Sequence, residues 1–224
     1  MVEQTALSMD DQTENIIESG NSFNPSSMTT DPDIRAFVAI ALPVRVKRVL
    51  SNLIDGFTEQ QPDSVRWVRP DNVHLTLRFL GAVPVTSVPR ITTVINEIAS
   101  RSAPFRLALS DAGGFPSLRA PRVFWISIAG EVDRLTLLQS RLEGVLCNMG
   151  FMPVKRPFSP HLTVGRSRKG SKPRDLRRAG EHFRWSGSNL TEQFDVKSVT
   201  FFRSHLGPFG ARYEVLAVSP LGSQ

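Results

Sequence analysis

Two histidines in the chain open the same short phrase, and together they could carry out one chemical task. His74 begins "HLTL" and His161 begins "HLTV", and the protein has only four histidines in all. Imidazole has a pKa of about 6.5, so near neutral pH it can either accept a proton or donate one. Two imidazoles at one phosphate could activate an attacking oxygen and protonate a leaving one, each contributing roughly 10²–10⁴-fold.

A threonine stands two residues after each of these histidines, at Thr76 and Thr163. Both phrases alternate polar and apolar residues and so predict β-strands, in which residues two apart share a face. Each strand then presents an imidazole and a hydroxyl on one face. The other faces are apolar: Leu75, Leu77 and Phe79 in the first strand, Leu162 and Val164 in the second. Because hydroxyls can donate to phosphate oxygens, the pattern predicts metal-free phosphoryl transfer in a cleft.

Competing chemistries have weaker signals in this sequence. A single histidine on a half-buried strand is usually structural, but a duplicated phrase makes that interpretation less economical. Each phrase holds one histidine, and the nearest acid is Asp71, so the spacing does not suggest a metal site. Cys147 lies in an apolar stretch, and "DAGGF" lacks the Lys and Ser/Thr of a nucleotide-binding loop. We therefore expect no metal and no cofactor.

The hydrophobic pattern predicts many strands and few helices. Strands are expected at 34–43, 65–68, 72–81, 105–115, 122–130, 161–166, 192–204 and 211–219, and helices at 44–60, 86–101 and 131–150. Residues 166–187 are predicted to be a basic connector with one helical turn near 174–179, and "HLGPFG" a turn. Strand–helix–strand units occur twice, which favours an α+β fold with two pseudo-two-fold related lobes, mainly antiparallel sheets, a central cleft and outer helices.

Charge and composition divide the chain at about residue 33. Residues 1–33 hold seven acids and no Lys or Arg, and we expect a disordered polar tail there. Residues 34–222 are expected to form a single bilobal domain, and from residue 34 on 27 Lys and Arg face 14 Asp and Glu. Such a body favours polyanions, nucleic acid above all, although basic surface also aids solubility. One cysteine, no long apolar run and no signal sequence lead us to expect a cytoplasmic protein away from the membrane.

Across about residues 34–222 the chain resembles the two-histidine phosphoesterases, and most closely the RNA 2′,3′-cyclic phosphodiesterases, also called 2′-5′ RNA ligases. The landmarks, in order, are "RAFVAIALP", "VRWVRPDNVHLTLRFLGAV", "GGFPSLRAPRVFWISI", "MGFMPVKRPFSPHLTVGRSR" and "SHLGPFGARYEVL".

The resemblance implies hydrolysis of an RNA 2′,3′-cyclic phosphate end to a 2′-phosphomonoester, without metal or nucleotide cofactor. It also implies that some members join tRNA fragments in the reverse reaction. By the family pattern, His74 protonates the departing O3′ and His161 activates the water. Thr76, Thr163 and Arg166 bind the phosphate. We expect a monomer acting on RNA ends.

Arg166 has the wrong parity for that role in a regular strand. It lies an odd number of residues after His161 and Thr163, so a flat strand would turn it to the opposite face. A bulge or strand end near Gly165 is needed to bring it back.

Two other functions remain open from the sequence. The protein could bind RNA ends with little catalysis, or it could cleave 2′-5′ linked oligonucleotides or small cyclic nucleotide phosphates with the same histidines. A basic set could contact the RNA backbone or simply be solvated: Arg156, Arg168, Lys169, Lys172, Arg174, Arg177 and Arg178. Phe158, Phe209 or Tyr213 could stack on a base, although packing roles are commoner for each. His182 and His205 are expected to be structural or on the surface.

Overall fold

The computed structural model describes residues 32–58, 64–187, 190–207 and 210–222. The predicted tail lies outside these ranges except for its last two residues, and Asp33 already begins the first strand.

Nine strands and four α-helices make up the described chain. In order they are β1 (Asp33–Ala41), α1 (Val44–Thr58), β2 (Val65–Trp67), β3 (His74–Pro84), α2 (Val88–Ser100), β4 (Phe105–Phe115), β5 (Val123–Gly130), α3 (Val132–Asn148), β6 (His161–Ser167), α4 (Pro173–Ser186), β7 (Gln193–Val196), β8 (Ser198–Gly207) and β9 (Gly210–Pro220). Short 3₁₀ turns precede β3 and α2.

All nine strands belong to one antiparallel sheet. Its order is β7-β4-β5-β6-β3-β1-β8-β9, with β2 paired to β6. The two halves, β7-β4-β5-β6 and β3-β1-β8-β9, meet where Leu75 of β3 pairs with Leu162 of β6. The predicted α+β class with two antiparallel lobes is confirmed, and the lobes share one sheet.

The order of strands and helices repeats on the two sides of this central contact. A strand–helix–strand–helix run, β1-α1-β3-α2, is followed by a second one, β5-α3-β6-α4. Each half of the sheet also takes a strand from the other part of the chain: β4 comes after the first run but pairs with β5, and β8 comes after the second run but pairs with β1. The two lobes are therefore interlocked by an exchange of strands.

The helices cover one face of the sheet and enclose a single apolar core. Helix α3 shows how the sequence specifies this arrangement, because Leu135, Leu138, Leu142 and Leu146 recur at helical spacing and all four are buried. The helix ends before Gly150, which adopts the predicted capping conformation with φ of 99° and donates its N–H to the carbonyl of Cys147.

The predicted connector at 166–187 is wrong, because most of it is helix α4. Leu176, Ala179, Gly180 and Phe183 recur at helical spacing, and the last three are buried. The strongly basic composition of the segment hid this apolar stripe. The helix packs over β4.

Two strand boundaries also differ from the prediction. The expected strand at 192–204 is divided at Lys197 into β7 and β8, which lie in opposite halves of the sheet. Gly113, near the end of β4, remains in the strand ladder and pairs with Trp125. A Cβ on Gly113 would overlap the indole ring of Trp125, so this glycine makes room for an aromatic ring. Residues 208–209 of the expected turn "HLGPFG" lie outside the described ranges, and residues 205–207 belong to β8.

Two helical glycines give a matched test of this packing. A Cβ on Gly180 in α4 would overlap the backbone carbonyl of Leu118, whereas a Cβ on Gly144 in α3 would have no neighbour within 4 Å. We expect Gly144→Ala to raise the free energy of unfolding by up to about 1 kcal/mol through helix propensity. Gly180→Ala should instead lower it by roughly 1–3 kcal/mol, since backbone must move.

Urea unfolding followed by circular dichroism measures both variants. Equal stabilisation by the two substitutions would contradict the close approach of α4 to residue 118.

Candidate active site

The two repeated phrases lie on the two strands at the centre of the sheet. Leu75 and Leu162 pair directly, and both side chains are fully buried in the core. Since strand residues alternate between faces, His74, Thr76, His161 and Thr163 all lie on the other face. The antiparallel register sets His74 opposite Thr163 and Thr76 opposite His161. We call this side of the sheet the cleft face.

The cleft face is concave, because side chains on it are buried although no helix covers them. Phe37 and Ala39 of β1 and Val123 of β5 are all buried, yet none belongs to the core cluster between the sheet and the helices. The sheet must therefore curl around the two histidines. This curl supplies the predicted central cleft.

Both imidazoles are held in the same way. Nδ1 of His74 lies 2.8 Å from the carbonyl oxygen of Asn72, and Nδ1 of His161 lies 2.8 Å from that of Ser159. A carbonyl oxygen can only accept, so each Nδ1 carries the hydrogen. In a neutral ring this leaves Nε2 with a free lone pair. Each histidine therefore presents the same nitrogen for chemistry, fixed by a backbone group two residues earlier.

Burial shifts both histidines toward the neutral form. It lowers the pKa of His74 from 6.5 to about 4, against the opposing effect of the Asn72 carbonyl. Burial also lowers the pKa of His161, which the Ser159 carbonyl opposes and the positive charge of Arg166 reinforces. A bound phosphate would act in the other direction, because a nearby anion favours the imidazolium.

The low pKa of His74 has a visible origin in the rings around it. Phe37 lies 4.6 Å from His74 between ring centroids, and Tyr213 meets it edge-on at 5.1 Å. Phe202 stacks on Phe37 at 5.1 Å. This aromatic cluster excludes water from the imidazole. Burial also raises the pKa of the Tyr213 hydroxyl, while the charge of Arg166 lowers it.

His161 has a smaller aromatic neighbourhood and a cation. Phe115 meets its ring edge-on at 5.3 Å, and Trp125 lies 6.3 Å away. Arg166 acts electrostatically on both His161 and Tyr213, which belong to opposite halves of the sheet. Arg166 thus lies close to the middle of the cleft.

A β-bulge resolves the parity of Arg166. In the pairing of β6 with β5, Thr163 faces Trp125 and Gly165 faces Phe124, so Val164 is left over. Beyond this extra residue the alternation is inverted, and Arg166 joins the face of His161 and Thr163. The bulge expected near Gly165 is confirmed.

Gly165 itself now points away from the cleft face, toward the core. A Cβ there would lie 2.7 Å from the indole ring of Trp67, which fills the space. Trp67 in turn packs against Phe57 and Phe124.

The first phrase, on β3, also contains a β-bulge, and the predicted position of Phe79 on the apolar face is therefore wrong. Thr76 pairs with Ala39 and Arg78 with Val38, leaving Leu77 as the extra residue. Phe79 therefore lies on the cleft face rather than on the apolar face, where it is 55% exposed and 5.9 Å from Phe37. Phe79 and Arg166 occupy equivalent positions, each five residues after a histidine.

Arg78, by contrast, is buried against α3. Its Nε lies 2.9 Å from Oε2 of Glu143, and its guanidinium donates to the carbonyl of Met152. Oε1 of Glu143 accepts the backbone N–H of Val154 at 2.8 Å. These bonds tie the segment before β6 to β3.

Of the other candidate residues, Tyr213 lies beside this centre, whereas the two remaining histidines contact partners elsewhere. His182 packs its ring against Phe57 at 4.7 Å, and Nε2 of His205 lies 2.6 Å from Glu214. Phe158 packs on the core, Tyr213 reaches His74, and Phe209 lies outside the described residues. The basic set is mostly exposed, on the loop before α4 and on α4 itself, with Arg156 half-buried before β6.

The described ranges contain neither a metal-binding cluster nor a membrane-spanning helix. No three His, Cys, Asp or Glu side chains of those residues are grouped as a metal site would require. Asp71, the acid nearest to His74 in sequence, lies 3.9 Å from Lys47 instead. None of the helices in the described ranges is long and apolar enough to cross a membrane.

The sequence did not reveal the aromatic cluster around His74. Phe37 lies in "RAFVAIA", where nearly every residue is apolar, so alternation could not tell its two faces apart. Phe202 and Tyr213 come from strands that approach only through the exchange of β8.

A fold of two strand–helix repeats, with a histidine and a threonine from each in one cleft, defines a phosphoesterase of the two-histidine class. The sequence profile of the family described as "LigT like Phosphoesterase" matches the chain twice, at residues 40–125 and 126–213. The chain belongs to this family, and the resemblance drawn from its landmarks is confirmed.

Individual relatives agree with the family assignment. An "RNA 2′,3′-cyclic phosphodiesterase" of Methanothermobacter thermautotrophicus is 33% identical over 185 residues, covering 83% of this chain and 97% of the relative. One of Geobacillus stearothermophilus is 31% identical over 188 residues, which is 83% of this chain but 56% of that relative's length. The crystal structure of E. coli LigT complexed with 3′-AMP has 27% identity and a TM-score of 0.65, covering 84% of this chain and 98% of that one.

The burial of His74 predicts a pH dependence of stability. Because its pKa is lowered from 6.5 to about 4, the unfolded chain binds more protons than the folded one between these values. Stability should fall as the pH falls through this window, by up to about 3 kcal/mol from this group. His74→Gln lacks the titration and should lose less.

The measurement is urea unfolding of both proteins at about pH 7 and about pH 4. His161 and the carboxylates titrate in both, so the difference between the two proteins isolates His74. Equal losses in the two would contradict a buried, neutral His74.

Proposed function

We propose that this protein hydrolyses 2′,3′-cyclic phosphate ends of RNA to 2′-phosphomonoesters. The observation that carries the proposal is the pairing of Leu75 with Leu162, which brings two imidazoles and two hydroxyls to one face. The names of the relatives, which are RNA 2′,3′-cyclic phosphodiesterases, support the same reaction and substrate.

In the proposed mechanism His161 is the base and His74 the acid. Nε2 of His161 accepts a proton from water, whose oxygen forms a bond to phosphorus. The bond from phosphorus to O3′ breaks, and O3′ takes a proton from Nε2 of His74. Phosphate stays on O2′. Each imidazole ends in the other's starting state, so solvent must exchange the protons before the next turnover.

Electrostatics supports this assignment of roles. The charge of Arg166 disfavours a cationic His161, as a base requires. Desolvation rather than a neighbouring cation lowers the pKa of His74, so an anionic phosphate beside it can restore the imidazolium. The hydroxyls of Thr76 and Thr163 and the guanidinium of Arg166 would bind the non-bridging oxygens.

Joining of RNA ends needs the same groups, with the 5′-hydroxyl of a second RNA in place of water. That hydroxyl would lose its proton to Nε2 of His161 and its oxygen would bond to phosphorus, while the bond from phosphorus to O3′ breaks and O3′ takes a proton from Nε2 of His74. We include 2′-5′ joining of RNA ends, such as tRNA fragments, as a reaction open to this cleft. We also propose that the protein acts as a monomer, since both histidines come from one chain. We propose the cytoplasm as the place where it acts.

End-group analysis tests the reaction directly. An oligonucleotide with a 2′,3′-cyclic end is incubated with the protein in excess EDTA, and the product is examined by ³¹P NMR. A 2′-phosphate is expected. A 3′-phosphate would contradict the roles given to the histidines, binding without turnover would favour an RNA-end-binding module, and loss of turnover in EDTA would indicate a metal.

Substituting either histidine should remove most of the turnover. His74→Ala and His161→Ala are each expected to lower kcat by roughly 10²–10⁴-fold, because each removes one proton transfer. His205→Gln is the matched control, since His205 pairs with Glu214 on the hairpin of β8 and β9. Thermal unfolding of all three variants separates chemistry from folding, and wild-type turnover in either alanine variant would refute the mechanism.

The pH profiles should differ between kcat/KM and kcat. Turnover needs neutral His161 and protonated His74, which gives a bell-shaped profile in both parameters. In the free enzyme the pKa of His74 is about 4, so the alkaline limb of kcat/KM should begin at acid pH. The bound phosphate should move the alkaline limb of kcat upward. Coincident alkaline limbs would show that substrate does not recharge His74.

A further inference from the structure

Arg66 of β2 lies directly opposite Arg166 of β6. The pairing of these strands sets Val65 against Ser167, Arg66 against Arg166 and Trp67 against Gly165. Val65 is buried in the core and Trp67 packs on Phe57 and Phe124, so both neighbours of Arg66 point away from the cleft face. Arg66 therefore shares the cleft face with Arg166.

Two cations in this position repel each other. Directly opposed residues on neighbouring strands have Cβ atoms about 4.5–5.5 Å apart, and like charges there are destabilising. Within the described ranges Arg66 takes part in no ion pair with a carboxylate. An anion bound at this end of the cleft would relieve the repulsion.

The two arginines differ in depth. Arg166 is half-buried, and its charge acts on His161 and Tyr213 in the middle of the cleft. Arg66 is exposed and belongs to β2, which pairs with β6 on the edge that β3 also uses and lies about 4.8 Å from β6. Beyond it the exposed Arg168 and Lys169 continue the basic surface, and the N–H of Arg168 bonds to the carbonyl of Ser64 just before β2.

We propose that Arg66 binds the phosphodiester on the 5′ side of the terminal nucleotide. This inference rests on the proposed function, in which Arg166 holds the reacting phosphate. A second guanidinium, one strand away from Arg166, would meet the next phosphate along an RNA chain. A guanidinium can bind a phosphate with two parallel hydrogen bonds. A lone nucleoside cyclic phosphate has no second phosphate to offer, so the cleft prefers oligonucleotide ends.

The test compares two substrates that differ by one phosphodiester. One is a nucleoside 2′,3′-cyclic phosphate without a 5′-phosphate, and the other is a dinucleotide ending in the same group. Wild type should have a kcat/KM about tenfold or more higher for the dinucleotide, as expected for one charge-assisted contact. Arg66→Met, which keeps the apolar stem, should lose that preference and leave turnover of the nucleoside unchanged.

Arg90→Met on the exposed surface of α2 is the matched control and should leave both substrates unaffected. Added salt should reduce the wild-type preference and have less effect on Arg66→Met. An equal loss on both substrates would overturn the proposal, because Arg66 would then act on the reacting phosphate. A full preference retained in Arg66→Met would also overturn it. If wild type turned over neither substrate, the proposed activity itself would fail, and this assignment with it.

Discussion

The contact between Leu75 and Leu162 is the constraint on which the site depends. It is the point where the two halves of the sheet meet, and it joins the second residue of each repeated phrase. Burying these two leucines in the core obliges the residues on either side of each to face the cleft. The four polar side chains of the cleft are thus positioned by an apolar pair on the opposite face of the sheet. A shift of one residue in either strand would turn the histidine and threonine of that strand into the core.

The cleft balances two requirements that oppose each other. Excluding water from His74 strengthens its interaction with a bound phosphate, since charges interact more strongly where solvent is absent. The same exclusion lowers its pKa to about 4 and removes the proton that an acid must donate. An anionic substrate reconciles the two, because its charge stabilises the imidazolium that burial disfavours. In the proposed mechanism, binding of the anionic substrate thus favours the protonated His74 that acts as the acid.

Much of the site could be predicted from the sequence. In a β-strand every second side chain lies on the same face, so the two repeated phrases identify the histidines and threonines that share one face. Arg166 and Phe79 could not be assigned this way, since each follows a bulge that leaves no mark in the hydrophobic pattern. Arg66 could not be assigned from the sequence either, because its neighbour across the sheet, Arg166, is a hundred residues away in sequence. Helix α4 was missed for a different reason: its apolar stripe is short and is surrounded by arginines. Local periodicity predicts the elements, whereas bulges and long-range register decide what the site contains.

The exchange of strands also governs the order in which the protein can form. One edge of β1 is completed by β8, and the segments that pair, 35–39 and 200–204, lie at opposite ends of the domain. While the chain is being synthesised, the first repeat can fold its helices and pair β1 with β3, but that edge of β1 stays open until the last strands emerge. Open strand edges attract other chains. The cleft around His74 needs Phe202 and Tyr213 from β8 and β9, so it can be completed only after these two strands, which follow all the others of the described fold, have been synthesised.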